Sequence, residues 1–429
     1  MRRSNRLSRI AVDTRALRES RDFRLLWCGQ AVSYLGNMVT FVAVPFQLYS
    51  LTGSTLQVGL LSICDAVPLL LFSAIGGTIA DRLDRRKLVF RTEIGLLAVS
   101  GLLAANAFSG DPQVWPLYVL AAAATSLWAI GSPALRALMP GLVPHEQLAA
   151  SQALQSIYSN TGAIVGPALG GLLIAAAGVG TTYAIDMVTF VASLVAVFLI
   201  APAPPQGAVE EETLESLRQG WRFLVSQKVI LGTFVLDTNA MVFGMPQALF
   251  PAVAAAHFDA GAGVVGLLYA APAVGALAAA LASGWVADAR RQGVAVAAAI
   301  VLWGLAIAGF GLATALWVGL VMLAVAGLAD EYSAILRSTI LFSGTPDRMR
   351  GRMQGFELAQ VASTPALGNV EAGLVASLTS LRFSIVSGGL ACAVGAVAIV
   401  AAIPSLFHYD AKRHVPEGRV TGTVPGTKA

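Results

Sequence analysis

Four acidic residues interrupt long apolar stretches of this sequence and are candidates for proton coupling: Asp65, Asp237, Asp330 and Glu331. A charged, unpaired group at the centre of a bilayer costs from about 3 to more than 10 kcal/mol, so acids that persist there are usually paired or functional. Because burial favours the neutral carboxyl group, each acid could load a proton on one side of a membrane and release it on the other. The structural alternatives are an Asp330 pair with Arg337 on the same helical face and a buried polar network around Asp237.

The apolar stretches predict the elements that position these acids. The chain is 56% hydrophobic and only 12% charged, with a mean hydropathy of +0.72, whereas ordinary soluble domains are about 25% charged. A helix of about 20 apolar residues crosses the hydrocarbon core, and twelve such windows lie between residues 24 and 407. The strands of a membrane barrel would instead show alternating apolar and polar residues in segments of about ten. The sequence therefore predicts an all-α membrane protein with twelve transmembrane helices.

The distribution of basic residues predicts the orientation and the division of the chain. Most of the 28 Lys and Arg fall in alternate connections, which places both termini in the cytoplasm. The Pro-rich segment 201–228 separates six spans from six, and its Leu214, Leu217, Trp221 and Leu224 have the spacing of an interfacial amphipathic helix. The predicted units are an N-terminal arm 1–23, an N-terminal six-helix bundle 24–201, a cytoplasmic linker 202–228, a C-terminal six-helix bundle 229–407 and a cytoplasmic tail 408–429.

One charged junction occurs in both halves. GGTIADRLDRRK at 76–87 returns as GWVADARRQ at 284–292, so that Gly77 and Asp81 match Gly284 and Asp288. A similar alignment of 132–147 with 332–348 pairs Arg136 with Arg337. Such repeats are typical of transporters built from duplicated bundles. An acid at a helix C-terminus is disfavoured by the helix dipole by about 0.3–1 kcal/mol, so we expect Asp81 to need a partner outside its own helix.

A second motif, GAIVGPALGG at 162–171, combines close packing with a bend. Gly162, Gly166 and Gly170 repeat every four residues and make a groove for a neighbouring helix. Pro167 removes the hydrogen bond to the carbonyl of Ala163 and permits a bend.

These motifs resemble the major facilitator superfamily, with Asp84 where the loop motif usually has Gly. Together with LTGSTLQVGL and GPALGGLL they are similar to the transmembrane secretion effector branch, which contains enterobactin exporters and Tap-type multidrug effluxers. The resemblance implies alternating access, with Asp81, Arg136 and the start of span eleven locking a cytoplasmic gate and Asp288 with Arg337 as a weaker copy. It also implies that the glycine motif marks exporters and shapes the cavity between spans five and eight. The alternative for the loop is that Arg82, Arg85, Arg86 and Lys87 only fix the topology.

The resemblance further implies that spans one, four, seven and ten line a central cavity. Their aromatic, methionine and amide side chains suit a large, partly apolar and cationic molecule. The substrate candidates are Tyr34, Asn37, Phe41, Asn239, Met241, Met245 and Tyr332, with Gln155 and Tyr158 from span five.

The expected function is efflux of amphiphilic, drug-like molecules in exchange for protons, with export of a siderophore or another secondary metabolite as the alternative. A membrane scaffold or receptor that has lost transport is the alternative from another class. The sequence has no G-K-[ST] loop, no nucleophile with a base and no metal-ligand cluster, so we expect neither an enzyme nor a cofactor or metal. Expected partners are the small-molecule substrate, protons and the lipid bilayer of a bacterial cytoplasmic membrane, without nucleic acid and as a monomer. Glu371 has no assigned role.

Overall fold

A computed structural model describes residues 13–202, 214–284, 291–407 and 409 of the chain. Within these ranges the regular structure is helical and contains no strand. The helices are α1 (Arg15–Glu19), α2 (Arg21–Thr52), α3 (Thr55–Arg82), α4 (Arg85–Phe108), α5 (Trp115–Leu138), α6 (Leu148–Phe198), α7 (Leu214–Ser226), α8 (Lys228–Phe243), α9 (Phe250–Ala256), α10 (Ala262–Leu281), α11 (Gln292–Leu312), α12 (Leu316–Gly344), α13 (Asp347–Leu378), α14 (Leu381–Ala402) and α15 (Pro404–Phe407).

Short polar residues start several of the long helices. The side chains of Ser20, Ser54 and Ser380 accept hydrogen bonds from the first turns of α2, α3 and α14, which satisfies backbone donors that have no partner inside the helix. Gly53, with φ 62°, ends α2 in the left-handed conformation. Polar residues between apolar runs therefore set these helix boundaries.

Ten of the described helical segments are long and apolar enough to cross a membrane. The all-α membrane fold is confirmed, whereas the count of twelve spans and the location of the termini stay predictions. Two of the predicted windows merge into the 51-residue α6. The 32-residue α13 is more polar than the ten because Asn369 and Glu371 interrupt its apolar part.

The helix α6 reverses direction at Gly178, where φ is 80° and ψ is 167°. This backbone conformation is accessible to glycine but not to residues with a side chain. Contacts with α2 run in parallel order before the glycine and in antiparallel order after it. The pairs are Tyr34 with Gly162, Val39 with Gly170, Thr40 with Asp186 and Gln30 with Ser193.

Each half packs internally and meets the other half along two helix pairs. In the N-terminal half α2 and α4 pack on α6, and α3 and α4 pack on α5; in the C-terminal half α11 packs on α12 and α14, and α10 packs on α12. The main contacts between the halves are α3 with α13 and α6 with α10.

Glycines allow the backbones to touch where the halves meet. A Cβ added to Gly59 would lie 2.5 Å from the carbonyl oxygen of Asn369, and one added to Gly266 would lie 2.9 Å from the Cα of Gly171. Thr55 Oγ1 donates to the carbonyl of Gly373 at 3.0 Å. These contacts lie at the end of the molecule that contains Gly178, which we call the seam end; the opposite end, which contains residues 83–84, is the junction end.

The glycine motif of α6 packs on two different helices. Gly162, Gly166 and Gly170 face α2, at Tyr34, Met38 and Val39. The carbonyl of Pro167 and the backbone of Gly171 instead face Gly266 of α10. The expected contact between spans five and eight is therefore made by Pro167 and Gly171, while the four-residue glycine repeat holds α2.

The linker helix α7 lies against the start of α13. The ring of Trp221 is 6.1 Å from that of Phe356, and Arg352 Nη1 donates to Gln219 Oε1 at 3.0 Å. Leu224 is buried beside Met353, while Trp221 is 55% exposed. A helix is therefore present where the spacing predicted one; the side chains of residues 214 and 217 lie outside the described part of the chain.

Candidate functional site

A cavity of about 1030 Å³ lies between the halves. Helices α2 to α6 supply most of its wall. The C-terminal half contributes residues close to the seam end, among them Gln247, Tyr269 and Asn369. The cavity is therefore built largely inside the face of one half.

Side chains from both halves close the cavity at the seam end. Asn369 Nδ2 donates to Ser62 Oγ at 2.9 Å, and Asn369 Oδ1 accepts from the backbone N–H of Ala248 at 3.0 Å. The rings of Phe41 and Tyr269 meet edge to face at 5.4 Å. Asn369 is 8% exposed, so its amide bridges α3 and the break between α8 and α9 away from bulk water.

The halves are apart at the junction end. Exposed Arg136 and Gln152 lie on the cavity wall, and the described C-terminal residues of the wall do not extend to their level. A Cβ added to Gly77 or to Gly284 would meet no atom within 4 Å. The cavity thus opens toward the end that the basic residues predict to be cytoplasmic.

The predicted gate is not engaged in this structure. Within the described residues, Asp81 makes no hydrogen bond or ion pair with Arg136 or with the start of α13. The resemblance implies that this lock forms when the cavity faces the other side, so the gate stays a prediction. Asp288 lies outside the described residues.

The basic residues of the junction brace the N-terminal half. Asp84 caps α4 by accepting from the Lys87 N–H at 3.0 Å. Arg86 Nε donates to the Val197 carbonyl at 2.9 Å, its guanidinium also reaches the Phe198 carbonyl, and it lies 5.8 Å from the centre of the Phe198 ring. These bonds cover the end of α6, so Arg86 does more than fix topology. Arg85 makes a long, 3.5 Å contact to the Ala137 carbonyl, and Arg82 is exposed.

The predicted substrate residues separate by half. Those of the N-terminal half lie on the cavity wall: Tyr34, Asn37, Phe41, Gln155 and Tyr158. Those of the C-terminal half are not on the wall that the described residues form: Asn239, Met241, Met245 and Tyr332.

Packing inside the C-terminal half explains this difference. Asn239 Nδ2 donates to the Cys392 carbonyl at 2.8 Å, which turns the amide toward α14. Met241 is 8% exposed in the core, Met245 packs against Gly368, and Tyr332 is partly buried beside the same core. Of these four residues only Met245 lies in the break between α8 and α9, where the regular helical face ends.

The predicted proton-coupling acids occupy different environments. Asp65 lies on the cavity wall and accepts from Thr125 Oγ1 at 2.9 Å. Asp237 is buried and pairs with Arg337, with Nη1 2.5 Å from Oδ1. Arg337 therefore pairs across helices with α8, whereas no ion pair with Asp330 on its own helix forms among the described residues. Asp330 and Glu331 are absent from the wall formed by the described residues.

Two buried acids on the cavity wall were missed or misplaced by the sequence analysis. Glu93 is 6% exposed and accepts from Gln30 Nε2 at 2.8 Å. Asp186 begins the sixth predicted span, where the sequence predicts a cap or a gate partner near the outer surface. It is instead 1% exposed and accepts from Thr40 and Ser100, each at 2.7 Å. Glu93 follows the basic start of α4 in the sequence and was not among the predicted acids.

A sequence signal for this network exists. Polar residues recur seven positions apart in three apolar spans, and seven residues are about two helical turns, so each pair shares a face. The pairs are Ser33 with Thr40, Glu93 with Ser100, and Asp186 with Ser193.

Comparison with known proteins relates most of the chain to exporters. A family model described as Transmembrane secretion effector matches residues 15–424. The chain is 32% identical to the Enterobactin exporter EntS of Citrobacter koseri over 374 residues, which is 85% of this chain and 88% of the relative. It is 29% identical to the Enterobactin exporter EntS of Escherichia coli K12 over 394 residues, 90% of this chain and 93% of the relative.

Solved structures share the fold at low sequence identity. The nucleoside transporter NupG superposes with a TM-score of 0.71 at 12% identity, covering 91% of this chain and 100% of that one. A bacterial homologue of the iron transporter ferroportin in an inward-facing state superposes with a TM-score of 0.65 at 15% identity, covering 91% and 99%. These similarities establish the helical architecture.

Proposed function

The chain belongs to the transmembrane secretion effector family of the major facilitator superfamily, and from this membership we propose that it exports a siderophore or a related secondary metabolite. It is a multi-pass protein of the bacterial inner membrane and a transporter rather than an enzyme. The aromatic, methionine and amide side chains of the predicted cavity favour drug-like amphiphiles as cargo. The similarity to enterobactin exporters over most of both chains supports the siderophore alternative instead.

The size and lining of the cavity support a bulky cargo. Its volume of about 1030 Å³ is at the upper end of the roughly 300–1,000 Å³ typical of small-molecule sites. Tyr34, Phe41, Trp128 and Tyr158 offer aromatic surface, and Gln155 offers an amide on the same wall. This combination suits a molecule with large apolar faces and several polar groups.

Alternating access would follow from a rocking motion of the halves. Opening the seam end requires breaking the bonds of Asn369 and separating α6 from α10. The same motion would bring Gly77 and Asp81 toward the start of α13, where Arg136 would complete the lock. Gly284 and Asp288 would make the equivalent contact in the second half.

Proton exchange is the second part of the proposal, and Asp65 is its first candidate. Its carboxylate faces the cavity and accepts from a neutral hydroxyl, with no ion pair among the described residues. One charge moving down 100 mV supplies about 2.3 kcal/mol. Export of drug-like amphiphiles would use the same cavity and the same proton.

Export in cells tests the proposal. We would express the chain in Escherichia coli lacking its own enterobactin exporter and measure extracellular enterobactin, with membrane insertion checked by immunoblot. The parent and Asp111→Asn, an exposed loop acid, should restore export, while Asp65→Asn should lower it at least several-fold. Ethidium efflux without enterobactin export would favour the drug-like alternative, and inserted protein that exports neither would favour a scaffold or receptor.

A further inference from the structure

Three helices of the N-terminal half bring two acids into one buried polar network. In the first layer Gln30 Nε2 donates to Glu93 Oε1 at 2.8 Å and to Ser193 Oγ at 3.0 Å. In the second layer, about two turns away, Asp186 meets Thr40 and Ser100. Helices α2, α4 and α6 contribute to both layers, so a movement of α2 affects both acids.

The two carboxyl groups have different donor sets. Asp186 Oδ2 accepts from Thr40 and Ser100 at 2.7 Å each, and Thr189 Oγ1 donates to Oδ1 at 3.2 Å. Both oxygens of Asp186 are therefore stabilised as acceptors. Glu93 Oε1 has the Gln30 donor, but Glu93 Oε2 is buried without a hydrogen-bond partner among the described residues.

An ionised carboxylate is a poor fit to the surroundings of Glu93. It offers about four acceptor positions, and a buried, uncompensated charge is far more costly than a neutral polar group. Glu93 is 6% exposed and forms no ion pair with a described residue. Because these two neighbouring acids have different donors, Asp186 suits the charged role and Glu93 the neutral one.

The other titratable and charged groups around this network lie on the same cavity wall. They are Tyr34 on α2, Asp65 on α3, Arg136 on α5, and Tyr158 and Asp186 on α6. Tyr183 on α6 is fully buried behind the wall, where its hydroxyl donates to Gln47 Oε1 at 2.9 Å. Arg136 is exposed at the junction end, and the polar side chains beside Glu93 are the uncharged Gln30, Ser33 and Ser193. A proton bound to Glu93 would neutralise its negative charge without any rearrangement of these neighbouring groups.

We propose that Glu93 is an occluded proton-binding site inside the N-terminal half and that Gln30 is its positioning residue. The inference rests on the proton exchange proposed above and adds a site separate from Asp65. Hydronium in the open cavity gives a proton to the Glu93 carboxylate, forming the neutral acid and water; release is the reverse step. Gln30 already uses both of its amide hydrogens, so displacement of α2 removes a donor from Glu93 and changes its proton affinity.

Infrared difference spectroscopy of the full chain in lipid nanodiscs tests the site without any cargo. At neutral pH the parent should show the carbonyl absorption of a protonated carboxyl group, and Glu93→Gln should lose it. Asp186→Asn is the matched control in the same network and should keep it; the measurement is repeated in an Asp65→Asn background. Gln30→Leu should keep the absorption but shift it. An unchanged band in Glu93→Gln would overturn the proposal. The proposal would also fail if the carboxyl group of the parent became a carboxylate when sodium replaces choline as the buffer cation, because the site would then bind sodium in place of a proton.

Transport supplies the second measurement. In proteoliposomes the parent should export enterobactin faster under an imposed pH gradient, and Glu93→Gln should lose that acceleration while retaining exchange without the gradient. A Glu93→Gln response equal to that of the parent would contradict the coupling role. Because the spectra need no cargo, failure of siderophore export and failure of the Glu93 assignment give different results.

Discussion

Replacing Arg337 by methionine should strongly destabilise the C-terminal half, because it leaves the Asp237 carboxylate buried without a cation. The two side chains are 13% and 3% exposed, with Nη1 and Oδ1 2.5 Å apart. At an effective dielectric constant near 20, unit charges at this separation attract by about 7 kcal/mol. Desolvation offsets part of that attraction, and loss of one partner of a buried pair costs about 3–5 kcal/mol. We expect a loss of unfolding free energy in this range.

A double-mutant cycle in detergent micelles, unfolded reversibly with SDS and followed by circular dichroism, measures this loss. Asp237→Asn with Arg337→Met removes both charges, so the double variant should be more stable than Arg337→Met alone. The exposed pair of Arg350 and Asp347 at 2.7 Å is the control, and Arg350→Met should change little because solvent screens it.

Purely additive losses in the cycle would refute the importance of the pair. Transport by the double variant distinguishes a structural role of Asp237 from a role in proton coupling. If the double variant is stable and still exports with a response to a pH gradient, Asp237 is structural. If it is stable and the response to the pH gradient is absent, the result supports a proton-coupling role for Asp237.

Three other substitutions test the helix ends and the seam. Asp84→Ala should lower the unfolding free energy by about 1 kcal/mol by removing the α4 cap, and Asp84→Gly by only a few tenths, as measured by SDS unfolding. Asn369→Leu should disfavour the closed seam by about 1–3 kcal/mol, because it leaves the buried backbone N–H of Ala248 unbonded; faster maleimide labelling of Val58→Cys would report the opening. Gly266→Val should separate α6 from α10 at a cost of about 1–3 kcal/mol, also seen as faster labelling, and unchanged labelling in either variant would contradict the assigned seam.

The sequence predicted the helical membrane fold because apolar length is a direct requirement of the bilayer. It did not predict where helices merge or break. Gly178 lies between two apolar windows with no charged residue beside it, so the reversal of α6 depends on one backbone conformation. The break between α8 and α9 likewise lies within a single apolar window, and Trp303 Nε1 donates to the Gly244 carbonyl there at 3.0 Å.

The site was predictable where helix faces stay regular. Tyr34 and Phe41, seven residues apart on the uninterrupted α2, both reach the cavity wall. Asn239 lies near the end of the interrupted α8 and instead binds α14. Glu93 was not among the predicted acids, because its burial depends on packing against α2 and α6, which the sequence does not state.

The single-glycine reversal within α6 has a practical consequence for mapping the sidedness of this protein. Reporter enzymes and epitope tags need a connection that tolerates extra chain, and position 178 offers only one residue with φ of 80°. An insertion there would force a side chain into a conformation reserved for glycine. It would also disturb the packing of the two segments of α6 on either side of Gly178. The connection at 109–114, between α4 and α5, is mostly exposed and polar, so it is the better place for such fusions.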